Sequence, residues 1–268
     1  MSLPIELGEN QMKRWISLLT SVLVWQFLPV PCTAQGIGPL ITDRPDFTES
    51  PVSVARGVIQ LEGGYTLTGI GGTRSHSLGE VLVRVGVGGP LELRFGLNSY
   101  QIAGGPPARR GMEDGAIGAK LEVVEAAGAR PAIGLIVGAS LPTGARAFRS
   151  ETVEPEAVVA MGWALPGGWS VGSNVGFLLG ASDVGEDNQW LGSLTVGRGV
   201  GSGPVAVFAE VYGFAEAAVA SDVFVDGGVT LTLGEHMQLD MRVARQVHGL
   251  RRETHIGVGI ARRWRLLP

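Results

Sequence analysis

The chain has 268 residues, a formal net charge of −4, 17% charged and 45% hydrophobic residues, and 42 glycines. This length allows one or two domains, but no linker, low-complexity tract or change of composition follows residue 50, so one domain is the economical interpretation. The slightly acidic balance gives no indication of a nucleic-acid partner, and so few charges are unusual for a protein whose whole surface faces water.

The first residues have the pattern of an export signal. Lys13 and Arg14 precede the apolar run "WISLLTSVLVWQFLPV", and the small residue Ala34 ends a cleavable stretch. We therefore predict a signal peptide at residues 1–34, with Met12 as an alternative start. One glutamine and two prolines interrupt the apolar run, which argues against a retained membrane-spanning helix.

Cys32, the only cysteine, lies within this signal, so the mature chain is expected to have no intramolecular disulfide. A lipid-anchored cysteine is the alternative, but "LPVPC" has prolines at positions where a lipid-modified cysteine is normally preceded by small residues. Removal of residues 1–34 takes away two charged residues of each sign and leaves the net charge unchanged.

From residue 58 onward apolar and polar residues alternate with a period of two, which favours strands over helices. The clearest case is "LELRFGLNSYQ" at 91–101, and "GGP" separates it from the similar segment "GEVLVRVGV". About twelve strands of roughly 10 to 12 residues follow from this pattern. They are predicted near 58–67, 77–87, 91–101, 115–125, 131–141, 154–165, 169–180, 188–198, 204–213, 222–233, 237–247 and 254–264.

Strands of this length suit a tilted crossing of a lipid bilayer. The connections alternate between short turns such as "PGG" and longer polar loops such as "PTGARAFRSETV", as in an outer-membrane barrel. A soluble sandwich or lipocalin-like barrel would need many charges on its wet face, yet Lys120 is the only lysine after the signal. We therefore predict an all-β fold, a transmembrane antiparallel up-and-down β-barrel of about 12 strands formed by residues 58–268.

The alternation places a set of charged residues on the face opposite the apolar one, so they are expected to line the lumen. They are Glu62, Glu80, Arg84, Glu92, Arg94, Lys120, Glu122, Glu210, Asp240 and Arg242. One interpretation is a polar path that orients a solute. The other is an internal salt-bridge lattice, because a twelve-stranded barrel lies between those filled by side chains and those with open channels. Arg84 and Glu92 flank the same short turn and are expected to pair across it.

Several segments together carry a family resemblance. "ITDRPDFTESP", "EVLVRVGVGGPLELRFGL", "PAIGLIVGASLPTG" and "LDMRVARQVHG" with "HIGVGIARRW" resemble the outer-membrane transporter family labelled for the meta-pathway of phenol degradation, over residues 41–264. The resemblance implies import or export of small hydrophobic or aromatic compounds across the outer membrane of a Gram-negative bacterium. The chain departs from such barrels at its end, where "RLLP" follows Trp264 instead of a terminal aromatic residue.

The segment "ITDRPDFTESP" lies in the predicted periplasmic N-terminal segment, residues 35–57, where water permits its charges. Its prolines fix φ and keep it out of a helix. We predict that residues 41–51 fold into the periplasmic mouth as a partial plug that pairs with the lumen charges; a solvated linker is the alternative. The residues of this plug motif are Asp43, Arg44, Asp46, Phe47 and Glu49.

Catalysis has little support in the sequence. The four histidines lack metal-ligand spacing, no Gly-x-Ser-x-Gly motif occurs, and the glycine-rich stretches lack the helix that phosphate binding needs. We expect no enzyme activity, no cofactor and no metal, although a lipid hydrolase remains a third alternative.

The function predicted is passive transport, and the alternative is a structural or surface-binding barrel with a closed lumen. Expected partners are outer-membrane lipid and lipopolysaccharide, the barrel-assembly machinery and a small hydrophobic or aromatic solute. In the alternative, Arg109 and Arg110 of an outer loop would contact the lipopolysaccharide.

Overall fold

The alternating residues form long antiparallel strands in the computed structural model, which describes residues 37–182, 185–186, 188–216 and 221–266. The predicted signal peptide, residues 1–34, lies outside the described residues. The strands within the described residues are β1 (Val58–Ile70), β2 (Thr73–Gly88), β3 (Leu91–Leu97), β4 (Tyr100–Ala103), β5 (Arg109–Met112), β6 (Gly115–Val124), β7 (Ala132–Leu141), β8 (Glu154–Leu165), β9 (Trp169–Leu178), β10 (Ala181–Ser182), β11 (Gly185–Glu186), β12 (Gln189–Gly199), β13 (Val205–Glu216), β14 (Asp222–Leu233), β15 (Met237–His248) and β16 (Glu253–Arg265).

The main sheet closes on itself. Within the described residues it contains fourteen strands, of which β4 and β5 are a hairpin attached to β2, so twelve strands make up the barrel wall. Strand β1 pairs with β2 on one side and with β16 on the other, so the described wall strands form a closed ring. The predicted twelve-stranded antiparallel barrel is therefore confirmed. Within the described part of the chain, no helix is long and apolar enough to cross a membrane.

The wall exposes its apolar side chains and buries its charged ones. On β3, Phe95 and Leu97 are 38% and 53% exposed, whereas Glu92 and Arg94 are 0% and 7% exposed. A water-soluble protein has the opposite arrangement. A barrel in lipid needs an apolar outer band, and its closed ladder pairs the backbone donors and acceptors of the strands without water.

The strand predicted at 91–101 is shorter than expected. Strand β3 ends at Leu97, because the side-chain amide of Asn98 donates hydrogen bonds to the carbonyl of Glu113 and, at 3.1 Å, to Oγ1 of Thr143. The chain then forms the β4–β5 hairpin. The predicted loop "IAGGPPARRGMEDG" therefore contains regular structure, and it carries Arg109 and Arg110 on β5.

The two ends of the barrel differ. The connections β2–β3, β8–β9 and β14–β15 are short, and the described chain enters β1 and leaves β16 at the same end. The connections β3–β6 and β7–β8 at the opposite end are long, although β1 and β2 are joined there by only Gly71 and Gly72, both at positive φ. In outer-membrane barrels the short turns face the periplasm, so we call the opposite end the outer end.

Candidate functional site

Residues 39–57, called the N-terminal segment below, run along the inner wall of the barrel. Side chains of β1, β2, β3 and β6 contact Asp43, and a side chain of β13 binds the backbone of Phe47 and Thr48. Farther along, the backbone N–H of Val54 donates a 2.8 Å hydrogen bond to Glu92 on β3. The segment therefore crosses the interior in contact with several parts of the wall.

A cluster of buried charges surrounds the carboxylate of Asp43. Its oxygens lie 2.6 Å from Arg94 Nη1, 2.8 Å from Lys120 Nζ and 3.3 Å from Arg84 Nη1. Burial raises the pKa of Asp43, but the nearby Arg84, Lys120 and Arg94 together lower it well below its usual range. Asp43 is therefore an ionised ligand for three cations of the wall.

The wall supplies its own anions to the same cluster. Arg84 makes a two-pronged ion pair with Glu92, with nitrogen–oxygen distances of 2.8 and 2.9 Å, and its Nη1 lies 2.9 Å from Glu62 Oε1. The pair expected across the β2–β3 turn is therefore present. Arg84, Glu62, Glu92 and Lys120 are all 0% exposed, so each of these charges depends on its partners instead of on water.

Other contacts hold the part of the segment that follows Asp43. Arg44 lies 2.9 Å from Glu80 and 3.5 Å from Asp240, while Glu49 lies 2.8 Å from Arg94. The backbone of Glu49 is bound twice by Asn174, whose Oδ1 accepts at 2.7 Å and whose Nδ2 donates at 3.1 Å. The side chain of Asn174 thus pairs with both backbone hydrogen-bonding groups of Glu49, as a neighbouring strand would.

One glutamate of β13 binds the middle of the segment. Glu210 accepts backbone hydrogen bonds from Phe47 and Thr48, both at 2.7 Å, and a third from the hydroxyl of Thr48. Burial, and then the charge of Glu210, raise the pKa of Asp46 in the same stretch to about 8. The middle of the segment therefore carries a carboxyl group that is protonated at neutral pH in the docked state.

The ring of Phe47 completes an aromatic stack on the inner wall. It lies 4.5 Å from the ring of Tyr212, nearly parallel at 11°, and Tyr212 lies 4.9 Å from Phe224 at 4°. Phe214 meets Phe47 edge-on at 5.3 Å. We call Phe47, Tyr212, Phe214 and Phe224 the aromatic stack. Phe47 also packs against the buried residues Ile136, Val158, Ala160 and Leu191, so the interior has an apolar area beside its charges.

Inward-facing glycines make room for the segment. A Cβ added at Gly134 would lie 2.5 Å from the carbonyl oxygen of Pro51, and one at Gly86 would lie 2.0 Å from that of Ala55. A Cβ added at Gly64 would meet the guanidinium group of Arg44 and would also lie 2.7 Å from the carbonyl oxygen of Val258. Part of the high glycine content therefore creates a track that larger residues would block.

The motif Leu141–Gly144, which ends the segment "PAIGLIVGASLPTG", fixes a loop at the outer end by hydrogen bonds. Thr143 Oγ1 accepts hydrogen bonds from the amide of Asn98 and from the backbone of Gly115, at 3.1 and 3.0 Å. The backbone N–H of Gly144 donates to Asp114 at 2.8 Å, and a Cβ there would lie 2.7 Å from the backbone of Glu113. The β7–β8 loop is thereby attached to the chain that precedes β6.

The ten residues predicted to line the lumen all lie on the inner side of the wall, and seven of them are buried. Glu80, Glu122 and Arg242 are partly exposed. Arg242 pairs at 3.2 Å with Asp226, and Glu122 contacts Ser53. The interior residues missed by the sequence include Gln60, Asn174, Tyr212, Phe224 and Asp226. Gln60 and Tyr212 lie two residues from the predicted Glu62 and Glu210 on the same strands, so they could have been found by extending the alternation.

No group of three or more His, Cys, Asp or Glu residues suited to a metal ion occurs in the described part of the chain. A closed antiparallel barrel with an apolar outer face and a charged interior is a transmembrane barrel of the outer-membrane type. The chain belongs to the family described as "Putative MetA-pathway of phenol degradation", whose model matches residues 42–264. No curated protein matches the sequence.

Solved structures share the fold. An outer membrane channel from Pseudomonas putida F1 is similar with a TM-score of 0.64 and 15% identity, over 83% of this chain and 100% of that chain. The NanC porin has a TM-score of 0.53 and 8% identity, over 76% and 98% of the two chains. The KdgM porin has a TM-score of 0.52 and 9% identity, over 76% and 98%. At these identities the likeness concerns the fold.

Proposed function

We propose that this protein is a passive channel for small hydrophobic or aromatic compounds in the outer membrane of a Gram-negative bacterium. Family membership supports the solute class, because the description of the family refers to phenol degradation. The similar barrel from Pseudomonas putida F1 is itself described as an outer membrane channel. The lumen offers both charged and aromatic side chains, which suits a solute with a ring and a polar group.

The observation that carries this proposal is the N-terminal segment in the lumen. It is held by ion pairs, hydrogen bonds and aromatic contacts, such as Asp43 with Lys120 and Phe47 with Tyr212. In the resting state the segment narrows the path, and its release opens the path, so the five residues of the plug motif act as a gate. No catalytic step is part of this function.

The test is single-channel recording of the mature chain, residues 35–268, in planar bilayers with and without phenol. Openings that phenol partly blocks would support a solute path. Continuous silence from folded protein, with folding judged by heat-modifiable gel mobility, would contradict it.

The dense charge cluster supports a second candidate. Arg84, Glu62 and Glu92 are completely buried, as expected if the lumen is permanently closed and the barrel works through its surface. Lipopolysaccharide is then the partner, and Arg109 and Arg110 on β5 are the residues to test. Under this candidate, replacing both arginines by glutamine would weaken lipopolysaccharide binding, and phenol uptake into cells would not depend on the protein.

A further inference from the structure

The aromatic stack is composed of two parts that are separate in the chain. Tyr212, Phe214 and Phe224 belong to the fixed wall, on β13 and β14, whereas Phe47 belongs to the N-terminal segment. The wall rings position one another, since Tyr212 and Phe224 are directly paired across the two strands. Phe47 is the only member that leaves when the segment leaves.

Phe47 makes the contacts that a small aromatic molecule would make. Its face is stacked on Tyr212 at 4.5 Å, its flank meets the edge of Phe214 at 5.3 Å, and an apolar cluster that includes Leu191 packs against it. Offset stacks and edge-to-face pairs at such distances stabilise ring–ring contacts by about 0.5–1.5 kcal/mol beyond the burial of area. The place taken by Phe47 is therefore a ring-sized apolar site in a mostly polar lumen.

The polar groups beside this place select among aromatic molecules. Glu210 lies two residues before Tyr212 on the same face of β13, and in the docked state its oxygens accept from Phe47 and Thr48. Departure of the segment frees these acceptors for a hydroxyl donor. Asp226 adds a second carboxylate and is paired with Arg242, so the surroundings disfavour a ring that carries a negative charge.

We propose that Phe47 is an internal competitor for an aromatic-solute site formed by Tyr212, Phe214 and Phe224, with Glu210 as the acceptor for a phenolic hydroxyl. A neutral hydroxylated aromatic ring binds there in place of Phe47 and so favours the undocked N-terminal segment, whereas a benzoate binds poorly. This inference rests on the proposed function, narrows its solute class to neutral hydroxylated aromatic rings and adds the means of opening.

The test measures binding to the full mature chain in detergent by fluorine NMR, with 4-fluorophenol and 4-fluorobenzoate as probes. Phe47→Ala removes the competitor, and the apparent affinity for 4-fluorophenol should rise about tenfold because the binding-competent fraction rises. Adding Tyr212→Leu should abolish this gain. Phe208→Ala, on the inner face of the same strand, is the matched control and should leave the affinity unchanged.

A second measurement leaves Phe47 in place. In the Ser50→Cys variant, whose mature chain has no other cysteine, phenol should accelerate maleimide labelling and benzoate should not. Equal affinity of the wild type and Phe47→Ala for 4-fluorophenol, equal binding of the two probes, or labelling that phenol does not change would overturn the inference. Because these measurements need no current, a barrel that binds phenol as expected but conducts nothing would refute the proposed channel and leave the binding site standing.

Discussion

Replacement of Asp43 by asparagine should release the N-terminal segment from the barrel wall. The change keeps the size of the side chain and removes the charge that three cations share. Lys120 is 0% exposed and, among the described residues, its ion pair is with Asp43 alone. Loss of one partner from a buried pair costs about 3–5 kcal/mol, because it leaves an uncompensated charge. Docking of the segment should weaken by that amount.

The assay is the rate of maleimide labelling at Ser50→Cys, since Ser50 is partly buried and its N–H donates a 3.0 Å hydrogen bond to Asp43. When opening is fast and reversible, labelling follows the open population. A loss of about 3–5 kcal/mol corresponds to an increase on the order of 100- to 4,000-fold, at about 1.4 kcal/mol per factor of ten.

The control for this prediction is Asp222→Asn, since Asp222 accepts its hydrogen bond from the side-chain amide of Gln246 instead of from the N-terminal segment. The Asp222→Asn variant should be labelled by maleimide as fast as the protein that carries Ser50→Cys alone. If Asp43→Asn labels no faster than this control while its gel mobility shows a folded barrel, the reasoning from the buried charges is wrong.

Three further predictions concern the track, the gate and the outer loop. Gly134→Ala should raise conductance, because its Cβ would lie 2.5 Å from the carbonyl oxygen of Pro51. Conductance should also rise as the pH increases toward about 8 and level off above it, because docking raises the pKa of Asp46 from 3.8 to about 8. Protonation therefore favours docking, and this contribution declines above pH 3.8 and is lost once the pH passes about 8. Gly144→Ala should make the β7–β8 loop more sensitive to trypsin, measured by the cleavage rate, since its Cβ has no room.

Each of these predictions has its own control. Gly192→Ala should leave conductance unchanged, because a Cβ there meets nothing within 4 Å. Asp46→Asn should flatten the rise with pH, and a rise that persists in this variant would assign it to other carboxyl groups. Gly128→Ala, in a different turn, should leave cleavage of the β7–β8 loop unchanged. An equal increase in cleavage in this variant would show that the fold as a whole is destabilised.

The alternation of residues predicted the wall because the period of two is a local property of each strand. It located the strands and put Glu62, Arg84 and Lys120 inside, since membrane strands keep one face for lipid and one for the lumen. It failed at 91–101, where Asn98 ends the strand through contacts with Glu113 and Thr143. Those contacts join distant parts of the chain, so they do not appear as a periodicity in the sequence.

The partners of the N-terminal segment could not be read from the sequence for the same reason. Phe47 and Tyr212 are far apart in the chain, and only the closed barrel brings their rings to 4.5 Å. The sequence indicated that Asp43 would meet lumen charges, but not that it would meet three cations at once. The sequence showed that the chain is rich in glycine, but not that Gly86 and Gly134 leave room for the segment.

The central claim is that the N-terminal segment closes the lumen, and conductance after its removal tests this most directly. Planar-bilayer recordings should compare residues 35–268 with the same chain lacking residues 41–51, with equal folding shown by heat-modifiable mobility. The account predicts a small or intermittent conductance for the intact chain and a larger, steady one for the deletion. Equal conductance in two equally folded proteins would show that the segment is no gate.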